Sequence, residues 1–362
     1  MSGHEILIWI MAAFAVAGAL DRIFGNRFGI GKDFEEGILA MGSLALAMIG
    51  VITLAPVLAS LLRPLVVPVF SLLGADAAMF AGSILACDMG GGALAVQMAE
   101  SYDAAMLGGV ITGSMLGATI VFTIPVAMGI LREEDRPAMA KGILCGIVTI
   151  PVGVLAGGIV AGFKIGMVLK NLIPIVLIGA AIALGLWKAE EKMIRGFAAF
   201  GKAVVALITG GLAAAIFREL TGVALIPGLA PIEEGFQTVG AIAIVLAGAF
   251  PLVAVLTRLL KKPLLMLGNV LGINDAAAAG LVASLANSIA TFGLVKDMDS
   301  RGTVVNIAFA VSAAFVFGDH LGFAAGFAPE MLPAMIIGKL AGGVSAVAVA
   351  LWLTRKEMQN AE

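Results

Sequence analysis

The sequence predicts an all-α polytopic membrane protein: two inverted-topology repeats, about nine spanning helices plus two re-entrant hairpins, eleven membrane segments in all. Composition is the first observation that predicts it. Of 362 residues, 61% are hydrophobic and 13% charged, with a mean hydropathy of +1.09, and long apolar runs recur from end to end instead of amphipathic stripes. The second is self-similarity at an offset of 198 positions, which pairs Phe34 to Gly82 with Ile232 to Gly280 without a gap and with 16 identities in 49 positions, against roughly a tenth by chance in so Ala-, Gly- and Leu-rich a chain. The third is the placement of Lys and Arg between the apolar runs.

Taken in order, spans of about 20 apolar residues fall near 5–24, 37–62, 77–100, 104–131, 138–163 and 169–187, and then near 195–217, 235–260, 275–295, 303–325 and 332–353. The first lacks a basic n-region and reads as a spanning helix, not a cleaved signal. Gly, Ala and Ser recur along all of them, as close helix packing in lipid requires, and such faces permit a homodimer. Pro125, Pro151, Pro174 and Pro251 lie inside spans and kink them. Cys87 and Cys145 sit in apolar runs and read as packing residues, with no disulfide framework. A net charge of −2 and the absence of a basic block exclude nucleic acid as a partner.

The repeat extends to Ser114 on Ser312. If all eleven segments cross, basic residues divide equally between the two faces and give no orientation. If 77–100 and 275–295 are hairpins that enter and leave on one side, 16 basic residues share a face and 4 lie opposite. The crossings between Glu36 and Glu234 then become odd in number, so the repeats point opposite ways. Residues 1–187 form the first repeat with a connecting helix and 188–362 the second, in one membrane domain, with the N-terminus outside and the C-terminus in the cytoplasm. In transporters, such repeats meet around a site at the bilayer midplane.

The chemistry concentrates at helix breaks. Ala86 to Gly92 reads ACDMGGG: hydrocarbon makes an unpaired carboxylate expensive, and glycines interrupt a helix only where a polar site compensates. Asp88 is suited to an ammonium group, with Gly90 and Gly91 opening the tip; capping the following half-helix is its plainer role. The matching tip lies near Asn287 and Ser288, where Asn287 offers donor and acceptor to a hydroxyl, or the two bond between helices. Thr112, Thr119 and Thr123 share a helix face, with Ser312 in the equivalent span, either lining the site or bonding back to their own helices. Asp319 and His320 are the other ionisable pair in apolar sequence, and His320 is a candidate for proton coupling. Glu36 heads an apolar span, where a carboxylate also suits the helix dipole. No G-x-S-x-G elbow, metal-ligand cluster or phosphate loop appears, so no enzyme, metal or cofactor is expected.

At FEEGILAMGSLALAMIGVITLAPVLA, MFAGSILACDMGG, TIVFTIPVAMGI, GIVTIPVGVLAGG and AFAVSAAFVFGDHLGFAA, the chain resembles the ethanolamine utilisation permease family, EutH, over nearly its whole length. The resemblance implies a multi-pass protein of the bacterial cytoplasmic (inner) membrane that brings ethanolamine in as a carbon and nitrogen source, commonly beside a microcompartment pathway. Matching positions include Glu35, Glu36, Asp88, Asn287, Asp319 and His320. The chain departs from the family in shorter loops around 164–169 and 227–235 and in having Ser288 where a second asparagine is expected. The reading is a transporter with substrate held between the hairpin tips by Asp88 and Asn287 and lined by Thr119, Ser312, Asp319 and His320. A carrier of another small amine or polar nutrient, and a non-transporting membrane sensor or assembly protein, are the alternatives.

Overall fold

The computed structural model describes the backbone of residues 3–359 and the side chains among them, except at 260–262, 264, 265, 267, 269 and 356–359. Lys261, Lys262 and Lys356, counted above on the basic face, therefore lie outside the described side chains. Everything described is helix, turn or loop, and seven helices are long and apolar enough to cross a membrane.

The chain opens with α1 (Gly3–Ile23) and α2 (Ile30–Leu72). Asp21 closes the turn between them: its carboxylate accepts from the amides of Phe28, Ile30 and Gly31 at 2.8 to 3.0 Å, which satisfies the donors that open a helix. At 43 residues, α2 is about 64 Å long, twice the hydrocarbon thickness. Pro56, Pro64 and Pro68 fall in its second half.

Next comes a short pair, α3 (Ala78–Ile84) and α4 (Gly91–Met98), joined by a tight turn at Cys87–Met89. Their outer ends are tied together. The Asp76 carboxylate accepts from Ala78 N at 2.8 Å and from Glu100 N at 3.0 Å, so the segment leaves where it entered. The following crossing, α5 (Tyr102–Ile130), packs along both arms and the turn: Gly108 lies on the Ala78 backbone, Gly109 on Gly92 and Ala95, and Gly113 on Cys87. Much of α5 winds as a wide π-helix over Leu107–Gly117 and Thr119–Thr123, a form that concentrates at functional sites.

Helix α6 (Arg136–Val160) leads into α7 (Ile165–Thr221). The sequence places a loop near 188–195, whereas the helix breaks only at Ala189, with φ −152° and ψ 50°. The chain still doubles back there: a Cβ on Gly185 would lie 2.7 Å from Met193 Sδ, although a straight helix separates these residues by about 12 Å.

Helix α8 (Ile232–Leu271) is followed by a second short pair, α9 (Asp275–Ala286) and α10 (Ser288–Leu294). The ends of this pair are also tied. The Asn274 amide donates to Asp299 Oδ1 at 2.9 Å, and its side chain donates to Asp297 O at 2.9 Å. Asp76 and Asn274 are 198 positions apart. Between the arms, Ser284 and Thr291 share a 2.8 Å hydrogen bond and Thr291 donates to Gly280 O.

The span that the sequence places at 303–325 is interrupted. Helix α11 (Ser300–Ala313) ends and α12 (Asp319–Phe327) begins after an irregular stretch, in which Phe315 takes φ 62°. That stretch borrows partners from the second pair: the amides of Phe315 and Phe317 donate to the carbonyls of Ser284 and Leu285 at 3.0 and 2.9 Å. Irregular backbone at this depth needs such cover. Helix α13 (Leu332–Gln359) completes the fold.

Helices α2 and α8 pack antiparallel. Gly37 meets the backbone of Leu246 and Ala247, and Gly235 meets Ile49, each too close for a Cβ. Since 37 and 235, and 49 and 247, are equivalent at the 198 offset, the two contacts are the same contact made twice.

Candidate functional site

The first helix break builds a pocket wall. Gly90 holds φ 98° and a Cβ there would collide with Val51, while one on Gly91 would meet the Leu85 and Ala86 carbonyls. Only glycine lets the chain turn so close to α2 and to its own first arm. The turn projects Asp88 into a cavity of about 680 Å³ bounded by α2, the end of α5, the second limb of α7 and the Phe315–His320 segment. Helix α4 starts from Gly90 without a side-chain cap, so the capping role does not explain the aspartate.

Beside it on the cavity lining, His320 Nε2 lies 3.8 Å from Asp88 Oδ1, with side-chain exposures of 4% and 16%. That is too long for a hydrogen bond and leaves space for a bridging atom. His320 Nδ1 is buried without a partner. The imidazole rests on Phe315, centroids 5.2 Å apart, and Phe315 meets Phe122 edge-on at 5.4 Å; both rings line the cavity.

Asp319 faces two ways. It lines this cavity and a second one of about 450 Å³ that also contains Asp33, Glu36, Arg258 and Asn287. Arg258 donates to the Phe28 carbonyl at 2.7 Å, and against its single charge the second cavity sets the carboxyl groups of Asp33, Glu36 and Asp319, an excess of acids that favours cations.

The structure separates some residues that the sequence groups. Asp88, Asp319 and His320 meet in the first cavity. Asn287 lines the second, and its Oδ1 caps α10 by accepting from Ile289 N at 2.8 Å. Thr119, Thr123, Ser288 and Ser312 are buried and line neither cavity. Thr119 ties two crossings together, its hydroxyl donating to Met115 O and to Val311 O at 2.7 and 3.1 Å. Thr112 and Ser114 bond back to their own helix.

Two lysines escaped sequence reasoning. Lys339 is 1% exposed within α13 and its Nζ donates to Ser114 O; Lys202 lines the first cavity from α7. An ionisable side chain inside a span is a functional signal in itself, and both carried it. The fold also gathers Cys87, Asp88 and His320, whose ligating atoms all lie within 4.8 Å of one another. With 232 positions between Asp88 and His320, no spacing pattern reveals that cluster.

Comparison with known proteins places this geometry. The chain is 58% identical over 360 residues to the protein named "Probable ethanolamine permease EutH" of Listeria monocytogenes, covering 99% of this chain and 96% of that one. It is 53% identical over 354 residues to the "Uncharacterized protein YxeR" of Bacillus subtilis, covering 98% and 96%. It is 49% identical to the "Probable ethanolamine permease EutH" of Escherichia coli, covering 99% and 97%. That last alignment runs over 395 positions, more than this chain's length, in keeping with its shorter loops. No solved structure matches the chain. The family model described as "Ethanolamine utilisation protein, EutH" matches residues 4–353, and the chain belongs to that family.

Proposed function

We propose that the protein is a transporter that carries ethanolamine, as its ammonium form, into the bacterial cell across the cytoplasmic membrane. The observation that carries this reading is the Asp88 carboxylate, set at a helix break and lining, beside His320, a cavity of about 680 Å³. A small ammonium alcohol crossing hydrocarbon needs an anion in place of water around its charge and a polar partner for its hydroxyl. Asp88 and Asp319 supply the charge, the rings of Phe122 and Phe315 supply cation-π faces, and His320 is placed for the hydroxyl. Asn287 then belongs to the second cavity, where with Glu36 and Asp33 it lines an acidic passage that meets the first at Asp319. Ser288, Thr119, Thr123 and Ser312 hold the surrounding helices, and Gly90 and Gly91 shape the tip.

The tied ends of the two short pairs support reading them as re-entrant hairpins, and the antiparallel contact between α2 and α8 supports inverted repeats, 1–187 and 188–362. In the orientation with the N-terminus outside, the cavity residues Pro125, Ala198 and Lys202 lie near the basic stretches 132–141 and 188–195, so the cavity opens toward the cytoplasm. A cation moving inward gains about 2.3 kcal/mol per 100 mV, enough to concentrate it roughly fiftyfold without a second ion.

Uptake of labelled ethanolamine into proteoliposomes tests the reading. Asp88→Asn keeps the shape and removes the charge, and a hydrogen bond to a charged group contributes about 1.5–3 kcal/mol, so uptake at limiting substrate should fall about 10- to 100-fold. Unchanged uptake at normal protein levels would remove Asp88 from the mechanism. The cavity is roomy for so small a ligand, which favours a second reading, a carrier of bulkier amines; inhibition by choline as strong as by unlabelled ethanolamine would support it.

A further inference from the structure

We infer that Cys87, Asp88 and His320 form a binding site for a borderline-soft divalent cation, zinc above all, at the tip of the first helix break. Thiolate, carboxylate and imidazole are the ligand types that such ions select over magnesium or calcium. Their ligating atoms lie within 4.8 Å of one another. Bonds of about 2.0–2.2 Å to a tetrahedral ion bring an imidazole nitrogen and a carboxylate oxygen to roughly 3.3–3.6 Å apart, so the Asp88–His320 separation of 3.8 Å closes onto one ion with a shift of a few tenths of an ångström. It is long for a hydrogen bond and close to the spacing of two ligands of one ion.

The surroundings hold two of the three ligands in place. Cys87 is 1% exposed and its backbone is clamped by Gly113. The His320 ring lies tilted against Phe315, with centroids 5.2 Å apart. The fourth side faces the large cavity, since Asp88 and His320 line it, giving three protein ligands and one open position, the pattern of sites that exchange a ligand. When the ion binds, the sulfur–metal bond replaces the S–H bond and the thiol proton passes to solvent.

The consequence for uptake rests on the proposed substrate role of Asp88: an ion there occupies the carboxylate that would hold the ammonium, so zinc inhibits competitively. Metal binding itself does not depend on that role.

The test is a cobalt titration of the full-length protein in detergent micelles, followed by zinc inhibition of uptake. Co²⁺ should bring up a saturable near-ultraviolet thiolate-to-cobalt band that Zn²⁺ abolishes. Cys145→Ser should keep the band and Cys87→Ser lose it, while His320→Gln, which retains the thiol, should weaken Co²⁺ affinity at least tenfold. Zinc inhibition, normalised to each protein's own metal-free uptake, should need at least tenfold more Zn²⁺ in Cys87→Ser. No band in the unaltered protein, or a band that survives Cys87→Ser, overturns the site. A band that excess ethanolamine leaves unshifted upholds the metal site and counts instead against Asp88 as the substrate's partner.

Discussion

At the scale of single residues, the proposed site sets the ionisable side chains of Asp88, Asp319 and His320 around one cavity in an apolar helix bundle. Phe122 presents a ring to the cavity beside Asp88; cation-π contacts contribute about 0.5–2 kcal/mol. Phe122→Ala should therefore raise the KM for ethanolamine about 2- to 30-fold with little change in maximal rate, measured by initial uptake rates. Gly90 is set by backbone geometry instead. A non-glycine residue at φ 98° costs about 1–2 kcal/mol, and the new methyl would strike Val51. Gly90→Ala should lower the midpoint of thermal unfolding in detergent and abolish uptake; a stable, active variant would show that the tip is not packed as described. Asp88 is legible in the sequence because hydrocarbon penalises an acid beside three glycines unless a polar site surrounds it. Cys87 is hidden as a neighbour of His320, because that proximity is created by the Cys87–Met89 turn meeting α12 and by nothing local. Asn287 is legible as a break, but its cap on α10 and its position on the second cavity depend on how that pair docks.

The elements show how broken helices persist inside hydrocarbon. Each short pair is pinned at its base, by Asp76 in one and by Asn274 with Asp299 in the other. Asp76→Ala removes two amide bonds to a carboxylate, about 1.5–3 kcal/mol each. A fall in stability of about 2 kcal/mol or more, together with reduced uptake, is expected from unfolding and transport assays on the same preparation. Seven of the described helices are long and apolar enough to cross a membrane, and the apolar runs locate them because hydropathy over 20 residues is a strong signal. The break between α11 and α12 does not show in the sequence. Gly318 and Gly322 permit a bend there, and the break exists because the carbonyls of Ser284 and Leu285 are there to receive the amides of Phe315 and Phe317. The reversal in α7 falls inside the stretch the sequence assigns to a loop, 188–195, but is tighter than a loop: one non-helical residue, Ala189, turns the chain.

For the whole molecule, the repeated contact of Gly37 and Gly235 organises the bundle, and the proposed orientation follows from the basic loops. Cysteines introduced as Glu134→Cys and Gly162→Cys lie at opposite ends of α6 and its connection. A membrane-impermeant maleimide applied to intact cells should label position 162 and spare 134; the reverse pattern would invert the topology. An imposed inside-negative potential should accelerate uptake in proteoliposomes, as entry of a net positive charge requires, and indifference to the potential would indicate movement of a neutral species. The offset of 198 residues is readable because glycines and leucines at close helix contacts tolerate little change, while the symmetry of those contacts needs coordinates.

An experimental structure with ethanolamine bound is the most direct measurement. The ammonium should lie within hydrogen-bond reach of Asp88 in the cavity shared by Asp319 and His320, with Phe122 and Phe315 beside it. Ligand density elsewhere, or an Asp88 side chain turned toward lipid, would contradict the account.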